Sequence, residues 1–400
     1  MTRRALVTDA GRSSAISIIR SLGRRGWQVV AADASPASAG FASRYAAERL
    51  VHPDPAREPD AAVDVLLEAA AARQVDLVVP VTDELVLPLA AARHRLPAGC
   101  ALAVADDAGL AATGDKAATL GLARELGLPT PCTAVVHTQE EARAAAPGLG
   151  WPVVVKPARS RVRTEQGIER FTVAYANDPD ELAARMRAVG GRTKVLLQRY
   201  VRGEGHGVEV LASEGRALAA FQHRRLREVP ITGGASSFRE SVALDPALLA
   251  ASTRLLEALQ WTGLAMVEFR VGPDGPSLME VNGRIWGSLP LAVKAGMDFP
   301  ARMAELFVDG PPPPGPVDTV YRVGLRSRNL SLEVLWIGST LRGRRRYPYL
   351  RTPPRSAGVA AALGLLWPGH RYDLFELDDP RPFAVELRNV PAKLREKLGG

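Results

Sequence analysis

Apolar positions in the first hundred residues alternate between two rhythms. Residues 5–8 form a short apolar run that predicts a strand, residues 15–24 carry Ile, Leu and Ala at helical spacing, and residues 28–32 read as a second strand ending at Asp33. Helical spacing returns over residues 60–73. Residues 76–81 are then almost continuously apolar, as expected of a parallel strand covered on both faces. A helix over 85–93 and a strand over 101–104 complete a small doubly wound α/β unit. Residues 106–127 predict helix. From residue 131 the pattern becomes α+β: strands over 151–156, 195–200 and 207–212, helices over 179–189 and 246–260, and a hairpin over 264–282. The proline-rich run 311–316 reads as a stiff linker. Beyond it lie helical stretches around 330–341 and 392–398, separated by the basic run 342–346. No internal repeat is visible.

The hairpin carries the most chemistry. Gly272-Pro273-Asp274-Gly275 is turn chemistry between two strand-like runs. Alternation places Val267, Phe269 and Val271 on one face and Met266, Glu268 and Arg270 on the other. On the return strand Met279 and Val281 share the apolar face, and Glu280 and Asn282 the opposite one. Glu268 should then lie across from Met279 and Glu280, so that two carboxylates and an amide oxygen converge. Such an all-oxygen set suits Mg²⁺, which is usually completed by water and substrate phosphates. A hairpin with a merely solvated acidic face is the simpler alternative. Against it stands Arg284, two residues past Asn282, where a guanidinium could neutralise a transferring phosphoryl group.

Composition sharpens this picture. The 400 residues suffice for two or three packed units, and 46% apolar with 24% charged residues is an ordinary globular balance. The net charge is +8, yet there are forty-five arginines against six lysines, which points to arginine-biased coding. Zinc-finger and aromatic ribonucleoprotein signatures are missing, so no nucleic-acid partner is expected. Cys100 and Cys132 stand alone, in keeping with a reducing, cytoplasmic compartment. The longest apolar run, 359–367, is about half of what a membrane span requires.

These residues resemble the ATP-grasp enzymes, which include D-alanine–D-alanine ligase, biotin carboxylase and carbamoyl phosphate synthetase. The resemblance covers about residues 107–310, and its most specific part is Glu268 … Glu280-Val-Asn282-Gly-Arg284. It implies that Glu268, Glu280 and Asn282 hold two Mg²⁺ ions (Mn²⁺ being an acceptable substitute) and that Arg284 contacts the transferring group. It also implies that Lys116, in Gly-Asp-Lys, and Lys156, in Val-Val-Val-Lys-Pro, bind ATP phosphates. In an arginine-rich chain a retained lysine suggests that a compact ammonium is wanted. Gln198, Arg199, Tyr200 and Val201 correspond to the hinge that reads adenine, and Glu204 to the acid on the ribose. The tract 222–236 occupies the place of γ-phosphate and substrate contacts, with Arg224 and Arg227 as catalytic candidates. Gly233, Gly234, Ser236 and Ser288 are the substrate-binding candidates. One departure is the flap after Lys156, where residues 158–167 carry arginines and a single glycine.

Two rival readings fit less well. A dinucleotide-binding turn would need three glycines after the first strand, and only Gly11 is there. A non-catalytic ATP-binding module would have no use for the full metal set and Arg284. The expected fold is therefore an N-terminal doubly wound parallel-sheet α/β domain (1–106), an α+β ATP-grasp domain (107–310), and a Pro-rich linker with a partly helical C-terminal extension (311–400). Within the second unit the lysine-bearing part spans 107–195, the hinge 196–204 and the metal-binding part 205–310. The expected reaction activates a small carboxylate as an acyl phosphate and couples it to an amine, with ADP and phosphate released. A homodimer is left open.

Overall fold

The computed structural model describes residues 2–159, 161–164, 167–343 and 352–399, of which 161–164, 167, 168, 170 and 392–399 are described by their backbone alone. The first unit is a five-stranded parallel sheet in the order Ala46–Val51, Gln28–Asp33, Arg4–Val7, Leu77–Val79, Ala101–Leu102. The apolar pattern does not predict strand Ala46–Val51: its inner residues Glu48 and Arg49 are exposed, so it lacks an apolar signature. The strand order reverses between Arg4–Val7 and Leu77–Val79. In open α/β sheets the carboxyl ends of the strands at such a reversal form a crevice. Asp9, Thr82 and Asp83 line this end, and Thr82 Oγ1 donates to Asp9 Oδ1 at 2.8 Å.

A second, four-stranded sheet runs Ala174–Ala176, Val153–Pro157, Val195–Arg199, Thr133–Val136, all antiparallel. Helices Gln139–Leu149 and Pro179–Val189 cover it with Ala142, Leu149, Leu182 and Met186. Arg161–Thr164 and Gly167–Arg170 pair antiparallel as a separate two-stranded sheet. Capping is specified locally. Thr138 and Glu141 form a reciprocal capping box, and Asp178 and Asp115 accept backbone N–H bonds at the starts of their helices.

The third sheet has seven strands, in the order Gly275–Asn282, Gly263–Gly272, Glu204–Ser213, Arg216–Val229, Ala235–Ser241, Arg326–Arg328, Arg371–Tyr372. One face packs on helix Pro246–Ala258 and Trp261 through Val208, Val210, Ala265 and Val267. Part of the other packs on the first unit through Leu211, Phe221, Leu264 and Met266. The chain beyond residue 311 is no free-standing extension. Two of its segments add strands to this sheet, and Arg239 is ion-paired at 2.5 Å to Asp373, both buried. Helix Leu330–Arg342 packs on the sheet through Trp336 and carries helix Arg355–Gly364 in turn. Among the described residues no helix is long and apolar enough to cross a membrane.

Candidate active site

The hairpin forms as an antiparallel pair with Glu268 opposite Glu280. This alignment depends on a bulge. The register slips between Glu268 and Phe269, so that Met279 has no opposite partner. A regular ladder from the same turn would set Glu268 against Met279 and turn Glu280 toward the face of Val267. The apolar positions of the return strand are accordingly Leu278 and Val281, and Met279 is only half-buried, which corrects the simple alternation. Asn282 Nδ2 donates to Glu268 Oε1 at 2.9 Å.

Cations from three other segments meet these carboxylates. Lys116 opens helix Lys116–Glu125, its N–H bonded to the Ala158 carbonyl at 3.0 Å, and its Nζ lies 3.7 Å from Glu280. Lys156 is 7% exposed on strand Val153–Pro157. Burial pushes its ammonium down to about 8; Glu280 opposes that shift and Lys116 adds to it. Burial acts to raise the Glu280 pKa, but Lys116, Lys156, Arg225 and Arg284 together hold it below the ordinary carboxylate range. Arg284 Nε donates to Asp83 Oδ1 at 2.9 Å, joining the hairpin to the crevice of the first sheet.

Arg225, not anticipated from the sequence, makes the closest cationic approach to the hairpin carboxylates among the described residues. Its Nη2 lies 2.6 Å from Glu268 and its Nη1 3.2 Å from Glu228, which in turn accepts from Arg270 at 2.9 Å. The expected Arg224 and Arg227 do not join this cluster. Arg224 pairs with Glu240 at 2.7 Å on the opposite face, and Arg227 reaches Glu333 at 2.7 Å while stacking 4.7 Å above Trp336. The reason is a second bulge. Arg225 faces Arg239 across the ladder, residue 226 is skipped, and Arg227 faces Phe238, which returns it to the face of Arg224.

The hinge candidates follow one path. Gln198 is fully buried on strand Val195–Arg199, its Nε2 donating to Thr133 at 3.0 Å and its Oε1 without a hydrogen-bond partner among the described residues. The exposed Arg199 bonds the carbonyls of Leu149 and Gly148, Tyr200 meets Tyr175 edge-on at 6.2 Å, and Val201 is half-buried. Gly203 presses on the hairpin turn: a Cβ there would lie 2.5 Å from the Val271 carbonyl oxygen. Arg270 fixes this contact by donating to the Gly203 carbonyl at 3.2 Å. Glu204 is exposed and pairs with Arg224 at 3.6 Å. Gly233 stands beside Arg270, whereas Gly234 packs on the Val229 carbonyl and Ser236 bonds the Phe238 carbonyl. Ser288 donates to the buried Glu209 at 3.0 Å, and His223 lies 3.0 Å from the same oxygen. Burial pushes Glu209 up to about 8 and His223 down to about 3.

Two carboxylates and one amide are a partial cation shell. No cage of three or more His, Cys, Asp or Glu side chains occurs among the described residues. The oxygen donors nonetheless fit Mg²⁺ of the kind completed by phosphate oxygens, and the Lys116–Lys156 pair fits the phosphates themselves. The flap arginines Arg161 and Arg163 have side chains outside the described residues.

Residues 192–328 match the family described as ATP-grasp in the biosynthetic pathway with Ter operon. The D-alanine–D-alanine ligase of Stutzerimonas stutzeri is 30% identical over 213 residues, 49% of this chain and 64% of the ligase. The carbamoyl phosphate synthase large chain of Deinococcus radiodurans is 28% identical over 191 residues, 45% of this chain and 18% of that one. The chain thus spans less than two thirds of these relatives. Among solved structures, a biotin carboxylase–β,γ-ATP complex from Campylobacter jejuni aligns with a TM-score of 0.63 at 16% identity, covering 79% of this chain and 72% of that one. An L-amino acid ligase from Bacillus licheniformis aligns at 0.58 and 21% identity, over 77% and 74%. Residues 192–328, which hold both strands of the carboxylate hairpin, thus match an ATP-grasp domain; the chain is similar in sequence to D-alanine–D-alanine ligase and carbamoyl phosphate synthase and in fold to biotin carboxylase.

Proposed function

We propose that the protein is an ATP-dependent ligase that converts a carboxylic acid to an acyl phosphate and couples it to an amine. The observation that carries this reading is the meeting of Glu268, Glu280 and Asn282 with Lys116, Lys156, Arg225 and Arg284, drawn together from a helix, two sheets and the loop after the hairpin. Relatives that are ligases support the reaction class. Lys116 and Lys156 hold the phosphates, Gln198 to Val201 and Glu204 hold the base and ribose, and Glu268, Glu280 and Asn282 hold the cations. Mg²⁺, when bound, supplies neutralisation of the phosphate charge during transfer. Arg284, oriented by Asp83, stabilises charge on the transferring group, and Arg225 replaces Arg224 and Arg227 in that role. In-line positioning and charge stabilisation are the main demands of phosphoryl transfer.

The test is ADP release with Mg²⁺ and pooled carboxylates and amines, and then the mass of the product. Wild-type protein should release ADP only when a carboxylate is supplied. Glu280→Ala should lower that rate by at least about 100-fold with its thermal midpoint kept. A fully active Glu280→Ala protein would remove the metal assignment.

A further inference from the structure

Helix Arg355–Gly364 and the turn that follows it leave large apolar side chains open to solvent: Val359 and Leu363, one helical turn apart, and Leu366 and Trp367, just past the helix end, are 52%, 68%, 86% and 63% exposed. The opposite face of the helix is fully used, with Gly358 and Ala361 buried against helix Leu330–Arg342. Scattered apolar residues on a surface are ordinary, but four within nine residues, one of them a tryptophan, mark an interaction site.

Its occupant can be argued from charge. Between residues 334 and 372 the sequence holds seven arginines and no lysine, aspartate or glutamate, so seven of the eight net positive charges of the whole chain lie in these thirty-nine residues. Arg342, Arg355 and Arg371 are exposed and have no acidic partner among the described residues; Arg355 opens the helix and lies beside Gly343, the neighbour of Arg342. Arg344, Arg345, Arg346 and Arg351 lie outside the described residues and enter only through their charge. A symmetric pairing of two such faces would bring the unpaired guanidinium groups of Arg342 and Arg355 from both copies together, which argues against a second copy. An apolar patch with tryptophan, set in an arginine-rich and acid-free stretch, has the chemistry of a segment that rests in the headgroup region of an anionic bilayer.

We propose that this face docks the protein peripherally on an anionic lipid surface, with Leu363, Leu366 and Trp367 entering the headgroup boundary and the exposed Arg342 and Arg355 pairing with phosphates. The proposal stands apart from the ligase reading, since none of these residues belongs to the active site.

The test is sedimentation of the full chain with vesicles of phosphatidylglycerol and phosphatidylcholine, against vesicles of phosphatidylcholine alone. Binding to the anionic vesicles only, released by salt, is expected. Removing two charges in Arg342→Ala/Arg355→Ala should weaken partition about twenty-five-fold, at about five-fold per arginine. Leu366→Ser/Trp367→Ser should abolish it at an unchanged thermal midpoint, because both side chains are exposed. Three outcomes would overturn the proposal: no anionic preference at low salt, undiminished binding of the Leu366→Ser/Trp367→Ser protein, or light scattering that shows a dimer which this variant dissolves.

Discussion

Lys156 offers the sharpest quantitative test of the site. Its ammonium is nearly sealed from water, and burial brings its pKa down to about 8. An unfolded lysine titrates near 10.4, so between those values the folded chain binds fewer protons than the unfolded one. A base depressed in the fold contributes stability above the unfolded pKa that is lost as pH falls through the folded value. Stability should therefore rise from pH 8 to about 10.4 by about 3 kcal/mol from this group alone, at 1.36 kcal/mol per pKa unit. Lys156→Met should remove this dependence. A triphosphate beside the ammonium reverses the balance, because an anion favours the charged form. At pH 8.5 about three quarters of the free protein carries neutral Lys156, so ATP binding should take up about 0.7 proton, and almost none at pH 6.5. Titration calorimetry in two buffers of different ionisation enthalpy reads that number directly. Identical binding heats in both buffers at pH 8.5, or the same proton uptake in Lys156→Met, would refute the placement of this lysine against phosphate.

Three further expectations rest on separate contacts. Gly283→Ala would put a methyl 2.5 Å from both Thr113 Oγ1 and the Trp261 ring, between Asn282 and Arg284; a loss of about 1–3 kcal/mol in denaturant unfolding is expected. Asp373→Ala would leave buried Arg239 without its carboxylate and Ser327 without its acceptor, lowering stability by about 3–5 kcal/mol, with Asp373→Asn intermediate. Arg225→Met should free Glu268 of its guanidinium, so that Mn²⁺ binding without nucleotide, monitored by its paramagnetic signal, tightens while ATP binding weakens.

The sequence discloses elements whose signal is local. Apolar runs place four of the five strands of the first sheet, and the Gly272–Gly275 turn with period-two alternation places the carboxylate hairpin. Features that depend on register or on distant segments stay hidden. Nothing in the local sequence marks the skipped residues at 226 and 279, although the first decides which arginine reaches Glu268 and the second lets Glu280 face it. Asp83 meets Arg284 across 201 positions, so no spacing rule finds it. Strands Arg216–Val229 and Ala235–Ser241 are rich in charge, a composition that reads as a contact tract; their polar residues are instead paired across the sheet, as Arg224 with Glu240 shows. Strand Arg326–Arg328 is three residues of Arg and Ser, a composition that carries no strand signature at all.

That short strand limits how the chain can be cut. Residues 192–328 end on Arg328, whose guanidinium is buried between Glu333, Phe238 and Tyr372, two of them beyond the cut. A fragment trimmed to the shared segment would strand a desolvated positive charge at its last residue. It would also strip Arg371–Tyr372 from the sheet margin and leave the preceding strands open to pair with a neighbouring molecule. The smallest piece worth expressing therefore runs past Asp373, well outside the region that sequence comparison alone would choose.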